Sequence, residues 1–100
     1  MTIKEYVDST LCVPVTRIGN KYIVEAIELV IDTREHKFYG KLAEILNTNA
    51  RYLEKAIRDA KNLSLEYMDS KLKQEIFNKN DVTTTEYIIK AAEYYRRNKT

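Results

Sequence analysis

Two glycines and one proline are all the backbone punctuation in 100 residues. Glycine-rich phosphate loops and flexible linkers therefore have nothing to be built from, and no alternating strand pattern competes with the helical one. A single cysteine, Cys12, cannot close an intramolecular disulfide, and a single histidine, His36, leaves no Cys/His cluster for structural zinc. Cys12 reads as a small buried or half-buried thiol and His36, within TREHK, as a solvated loop residue. No apolar run approaches the roughly 20 residues that span a bilayer. The opening MTIKEYVDST has neither a basic leader nor an apolar signal core, so a cytoplasmic chain with no membrane partner is expected. There is no nucleophile and base pair, no metal-ligand spacing and no phosphate loop. The expectation is a protein that is not an enzyme, with no cofactor, no metal and no small-molecule substrate.

What is present is long helical periodicity. Apolar side chains make up 44% and charged ones 32% of the chain, the balance of one globular domain over residues 1–100 with a single core. Apolar residues at i, i+3 and i+4 predict an all-α, compact five- or six-helix domain. A first helix is expected over about residues 3–11, ending before Pro14 because the residue preceding proline is pushed out of helical space. A core helix follows over about 20–32, with Tyr22, Ile23, Ala26, Ile27, Val30 and Ile31 on one side. Next come a helix over about 38–46, a stretch placing Leu65, Met68, Leu72 and Ile76 on one face, and an Asn-Lys-Asn-Asp turn at 78–81. Thr83 and Glu86 stand at capping-box spacing before the last helix.

A net charge of +2 is too small to imply nucleic acid, but its distribution is uneven. Residues 21–35 hold two basic and four acidic side chains, residues 47–63 four basic and two acidic, and the tail is basic again. The stretch LAEILNTNARYLEKAIRDA, residues 42–60, fits a helix-turn-helix. Ala43 is the small residue that lets two helices cross, Asn47 tolerates the left-handed turn position, and Thr48 or Asn49 caps the second helix, over about 48–63. Leu42, Leu46, Leu53 and Ala56 pack the pair together. At about 100° per residue, Arg51, Lys55, Arg58 and Asn62 project opposite the centre of the Leu53, Ala56, Ile57 and Ala60 stripe as a basic ridge. Such a ridge neutralises phosphates and can reach base edges in the major groove. The competing account is a solvated charged face, with Glu54 and Arg58 as a helix-supporting i, i+4 pair.

Three blocks in order, VPVTRIGNKYIVEAIELV, LAEILNTNARYLEKAIRDA and VTTTEYIIKAAEYYR, resemble the C-terminal effector domain of the stage-zero sporulation response regulators of Firmicutes. In the middle block the likeness runs through Ala43, Asn47, Thr48, Ala50, Glu54, Ala56, Ile57, Arg58 and Ala60. The resemblance implies a helix-turn-helix transcription regulator that reads a short promoter box, in tandem copies held by dimer contacts. It departs from the family in three places. Tyr52, Leu53, Glu54 and Lys55 stand where the family has Arg-Val-Glu-Arg, so one base-reading arginine is a tyrosine and the other a lysine without the bidentate guanidinium fork. The segment between Val30 and Tyr39 is about half a dozen residues shorter, and the chain has no room for a receiver domain.

These readings converge on a double-stranded-DNA-binding regulator. Asn49, Arg51, Tyr52, Glu54 and Lys55 are the expected groove residues, with Glu54 accepting from a cytosine amino group. Arg58 and Lys61 are the expected phosphate contacts, and Arg17 and Lys21 further backbone contacts. The last helix carries more apolar surface than one core face needs, which makes Tyr87, Ala91, Tyr94 and Tyr95 a candidate homodimer surface. The alternative is an interaction module that no longer reads DNA and pairs with a full-length sporulation regulator.

Overall fold

The long apolar periodicities fold as helices throughout. The computed structural model describes residues 1–79 and 81–98, so Asn80 of the expected turn and Lys99 and Thr100 of the basic tail lie outside the described residues. Among those described there are six helices and no strand: α1 (Ile3–Glu5), continued by a π-helical stretch (Tyr6–Thr10), α2 (Ile18–Thr33), α3 (Tyr39–Ile45), α4 (Ala50–Tyr67), α5 (Ser70–Phe77) and α6 (Thr84–Arg97). They form one body of 36 × 26 × 22 Å. No helix among the described residues is long and apolar enough to cross a membrane.

Local chemistry sets the ends of these helices. Thr2 and Glu5 form a capping box: the Thr2 hydroxyl accepts from the Glu5 N–H at 3.1 Å and the Glu5 carboxylate from the Thr2 N–H at 2.8 Å. Thr83 and Glu86 repeat the device at α6, both bonds 3.1 Å, as their spacing predicts. The first helix stops short of Pro14, where Cys12 turns left-handed at φ 56°. No helix forms between α2 and α3: α2 closes at Arg34, φ 59°, and the chain runs irregularly to Phe38.

α4 runs past its expected end at about residue 63 to Tyr67. Leu65, Met68, Leu72 and Ile76 were expected on a single face, but the chain breaks between them. Met68 leaves helical space at ψ 147°, and the Asp69 carboxylate caps α5 by accepting from the Leu72 N–H at 3.2 Å. An aspartate two residues before Lys71 is a cap signal that the apolar pattern hides.

The core lies between α2, α4 and α6. Ile23, Ala26 and Ile27 of α2 meet Leu53 and Ile57 of α4 and Ile88 and Ala91 of α6, all excluded from solvent. Gly19 brings α2 closest to α4. A Cβ built on it would stand 2.5 Å from the Ala56 carbonyl oxygen and 2.5 Å from the Ala60 Cβ, so the two backbones touch where any side chain would force them apart. Next to it, buried Asn20 uses both N–H donors and its oxygen: the amide donates to Asp8 at 2.8 Å and to the Val13 carbonyl at 3.1 Å, and the oxygen accepts from Lys4 at 2.7 Å. The connector is thereby tied to both helices it joins.

The proposed dimer face of α6 requires correction, because its tyrosines are used inside the chain. Tyr87 and Ala91 are fully buried and Tyr95 is buried; only Tyr94 remains half exposed. Tyr87 stacks on Phe77 with ring centroids 5.1 Å apart and donates to the Ser64 hydroxyl at 2.6 Å, while Ser64 donates to the Leu11 carbonyl. Tyr6 packs on Tyr95 at 5.1 Å and donates to the Ala91 carbonyl at 2.8 Å. Tyr95 donates to the Met1 carbonyl at 2.7 Å. The surplus apolar surface of α6 serves a second internal contact, against the N-terminal helix.

Two measurements test this account. Gly19→Ala is expected to lower unfolding free energy in urea by about 1–3 kcal/mol, the usual cost of overpacking, and unchanged stability would show that the backbones can separate. Glu86 is held down at about 2, from an ordinary 4.5, first by the Lys79 ammonium and then by the Thr83 N–H. A lowered folded-state pKa gives stability that is complete above the ordinary value and drains away as pH falls through about 2. Glu86→Gln is therefore expected to flatten the decline of melting temperature between those two pH values.

Candidate nucleic-acid interface

The corner between α3 and α4 is built from backbone hydrogen bonds and one left-handed residue. Thr48 N–H reaches back to the Ala43 carbonyl at 2.9 Å and Asn47 N–H to the Glu44 carbonyl at 3.3 Å, with Asn47 at φ 53°. That pair of bonds is a Schellman motif with asparagine in the place glycine usually takes. It satisfies carbonyls that the end of α3 would otherwise leave open, and it turns the chain with no glycine present. Asn49 then opens α4, its side-chain oxygen accepting from the Tyr52 N–H at 2.7 Å. The left-handed residue and the cap both stand where the pattern places them, and the corner is compatible with a helix-turn-helix.

α4 is sharply two-faced. Leu53, Ile57, Ala60 and Ser64 are buried, whereas Arg51, Lys55, Arg58 and Asn62 are exposed. Burial of the first set between α2, α3 and α6 is what turns the second set outward. Among the described residues no ion pair reaches Arg51 or Lys55, and the first turn of α4 holds no acidic residue. Cations at the positive end of a helix dipole are disfavoured by roughly 0.3–1 kcal/mol each. An anion brought to this end of α4 would relieve that repulsion and meet two free donors.

Other expected contacts are redirected by the packing. Lys61 is buried, and its ammonium donates to the Val82 carbonyl at 2.9 Å. It is removed from the phosphate contacts: it holds the entry of α6 against α4. Glu54 turns both oxygens toward the protein, one accepting from Arg58 at 2.7 Å and one from the Thr84 hydroxyl at 3.4 Å, and its remaining lone pairs stay partly open to solvent. The i, i+4 pair with Arg58 is therefore formed, and it steadies Arg58 on the exposed edge. Tyr52 meets Tyr22 edge-on, with centroids 6.1 Å apart and planes at 79°, yet 47% of its surface stays exposed. Beside Glu54, the Tyr39 hydroxyl is buried without a hydrogen bond of ordinary length. Thr85 approaches it, but burial outweighs that neighbour and pushes the phenol up to about 12.

Arg17 and Lys21 are exposed, but they border a different feature. With Lys4 they line a cleft of about 500 Å³ at the start of α2, to which α4 contributes no residue. Asn49, Arg51, Tyr52, Lys55 and Arg58 thus lie on or at the start of α4, while Arg17 precedes α2 and Lys21 lies in its first turns, next to Tyr22, which meets Tyr52. The residue that reasoning from sequence passes over is Gly19, which sets the pose of α4 from another helix. Its signal is the trio of small residues Gly19, Ala56 and Ala60, legible only once α2 and α4 are known to cross. Among the described residues no three His, Cys, Asp or Glu side chains converge on a metal position. Compared with protein-family models and with curated proteins, the chain has no significant match to either.

Lys61→Met keeps the stem of the side chain but leaves the Val82 carbonyl without its donor, a loss expected to cost about 1–3 kcal/mol. Urea unfolding measures it. A Lys61→Met variant of wild-type stability would return Lys61 to the surface. At the corner, Asn47→Ala is expected to destabilise by about 1–2 kcal/mol and Asn47→Gly to do no harm, since only glycine adopts the left-handed conformation freely.

Proposed function

We propose that this domain binds double-stranded DNA through the N-terminal half of α4 and serves as a transcription regulator of the stage-zero sporulation effector type. The observation that carries the reading is the pair Arg51 and Lys55, exposed and without an ion-pair partner on the first two turns of a helix that leaves a capped corner. Long cationic side chains at the start of a helix are suited to base edges in the major groove, while those further along meet phosphates. On this reading Arg51 and Lys55 contact bases. Asn49 at the cap and the exposed half of Tyr52 contact the sugar-phosphate edge or a thymine methyl, and Arg58, steadied by Glu54, contacts phosphate. The three-block sequence likeness supports the same conclusion independently of the geometry.

A second reading, a module that pairs with a full-length regulator instead of binding DNA, gains from one observation. Glu54 is occupied within the protein and Tyr52 leans on Tyr22, which leaves fewer free base readers than the sequence offered. Fluorescence anisotropy on random and selected duplexes at several salt concentrations separates the two. DNA binding requires affinity that falls linearly in log salt, with a slope of about −0.9 per phosphate neutralised. Lys55→Ala is expected to reduce discrimination at one base position by about 1–3 kcal/mol, whereas Arg58→Ala weakens all duplexes alike and lowers the salt slope by about one. No binding to any duplex at low salt would retire the DNA reading in favour of the module.

A further inference from the structure

The cleft at the start of α2 combines features that the α4 surface does not share. Val15 and Ile18 are 64% and 51% exposed, two of the few large aliphatic side chains left in solvent, and both line it. Arg17 and Lys21 flank them, exposed and with no ion-pair partner among the described residues. The third cation, Lys4, is already engaged with Asp8 at 2.9 Å and Asn20 at 2.7 Å. Glu25 is the one carboxylate among the lining residues. α2 also begins without a side-chain cap, since Arg17 at that position has no acceptor to offer.

We infer that this cleft is a docking surface for an acidic, amphipathic peptide segment of another protein, with one large apolar side chain set against Val15 and Ile18 and neighbouring carboxylates on Arg17 and Lys21. Exposed aliphatics beside unpaired cations suit a ligand that brings both apolar surface and negative charge. A phosphate backbone supplies only the charge and leaves Val15 and Ile18 in water. A small amphiphile needs most of its surface enclosed, and walls exposed to this degree do not enclose one. A peptide supplies its own covering. The uncapped first turn of α2 adds N–H groups and a positive dipole end in reach of the same carboxylates. No α4 residue lines the cleft, so the inference does not rest on Arg51 and Lys55, the pair that carries the DNA reading.

The test uses the whole chain, immobilised and panned against a phage-displayed library of random twelve-residue peptides. A fluorescein-labelled synthetic copy of the consensus is then titrated by anisotropy. Expected are sequences with a large apolar residue flanked by Asp or Glu, binding that Arg17→Glu and Ile18→Asp each weaken at least tenfold, and duplex binding that the uncharged change Val15→Ser leaves as it was. Both positions are exposed, so circular dichroism should show the native fold, and Val15→Ser provides a milder change in the same direction. A consensus lacking acidic residues, or peptide affinity indifferent to these substitutions, would overturn the proposal. So would loss of duplex binding in Arg17→Glu with peptide affinity intact, which would make the cleft a phosphate contact.

Discussion

The near-contact of Gly19 with Ala56 and Ala60 governs the rest of the molecule. A side chain at 19 would run into the Ala56 carbonyl oxygen and the Ala60 Cβ, so α2 and α4 pack at a separation that only glycine permits, and close packing on both sides opposes a roll of either helix. With rolling opposed, the inward stripe of Leu53, Ile57, Ala60 and Ser64 is fixed, and so is the outward direction of Arg51, Lys55 and Arg58. The Schellman corner acts on the same helix from its other side. It sets where α4 starts and how it leaves α3, while the crossing sets its rotation about its own axis. A recognition surface needs both to be determined, since side chains must be held close to productive geometry to discriminate bases.

Electrostatics and packing divide the charged residues of α4 between them. Lys61 falls beneath the entry of α6 and finds a backbone carbonyl, Glu54 is bracketed by Arg58 and Thr84, and only the first two turns keep cations without a partner. The cations of the helix are thus graded: Arg51 and Lys55 free near its N-terminus, Arg58 paired in its middle, Lys61 buried beyond. The unfavourable interaction of Arg51 with the dipole is tolerable because burial of the opposite face stabilises the helix independently of its ends.

Features that depend on near neighbours were legible in the sequence. Asn47 and Asn49 in a glycine-free corner, Thr83 and Glu86 three apart, and the stripes of α2 and α4 each declare themselves within one or two turns. Features that depend on distant partners were not. Lys61 sits at an angle of the helix wheel where a long side chain would ordinarily reach solvent, and only Val82, far along the chain, shows why it does not. The α6 tyrosines looked surplus because their hydroxyl acceptors lie elsewhere, on the Met1 carbonyl for Tyr95 and on Ser64 for Tyr87. The break at Met68 and Asp69 was hidden because apolar spacing continued across it, and periodicity records which faces are buried without recording whether the axis is continuous.

Ser64 shows how such distant partners become coupled. One hydroxyl accepts a hydrogen bond from Tyr87 and donates one to the Leu11 carbonyl, so three separate parts of the chain meet at a single oxygen. Removing it orphans two buried groups at once, and removing Tyr87 afterwards returns part of that loss. Substitutions at 64 and 87 should therefore be strongly non-additive, as in any network whose members are satisfied jointly. Variation at these two positions is then constrained as a pair, with hydroxyl chemistry at one setting what the other can carry.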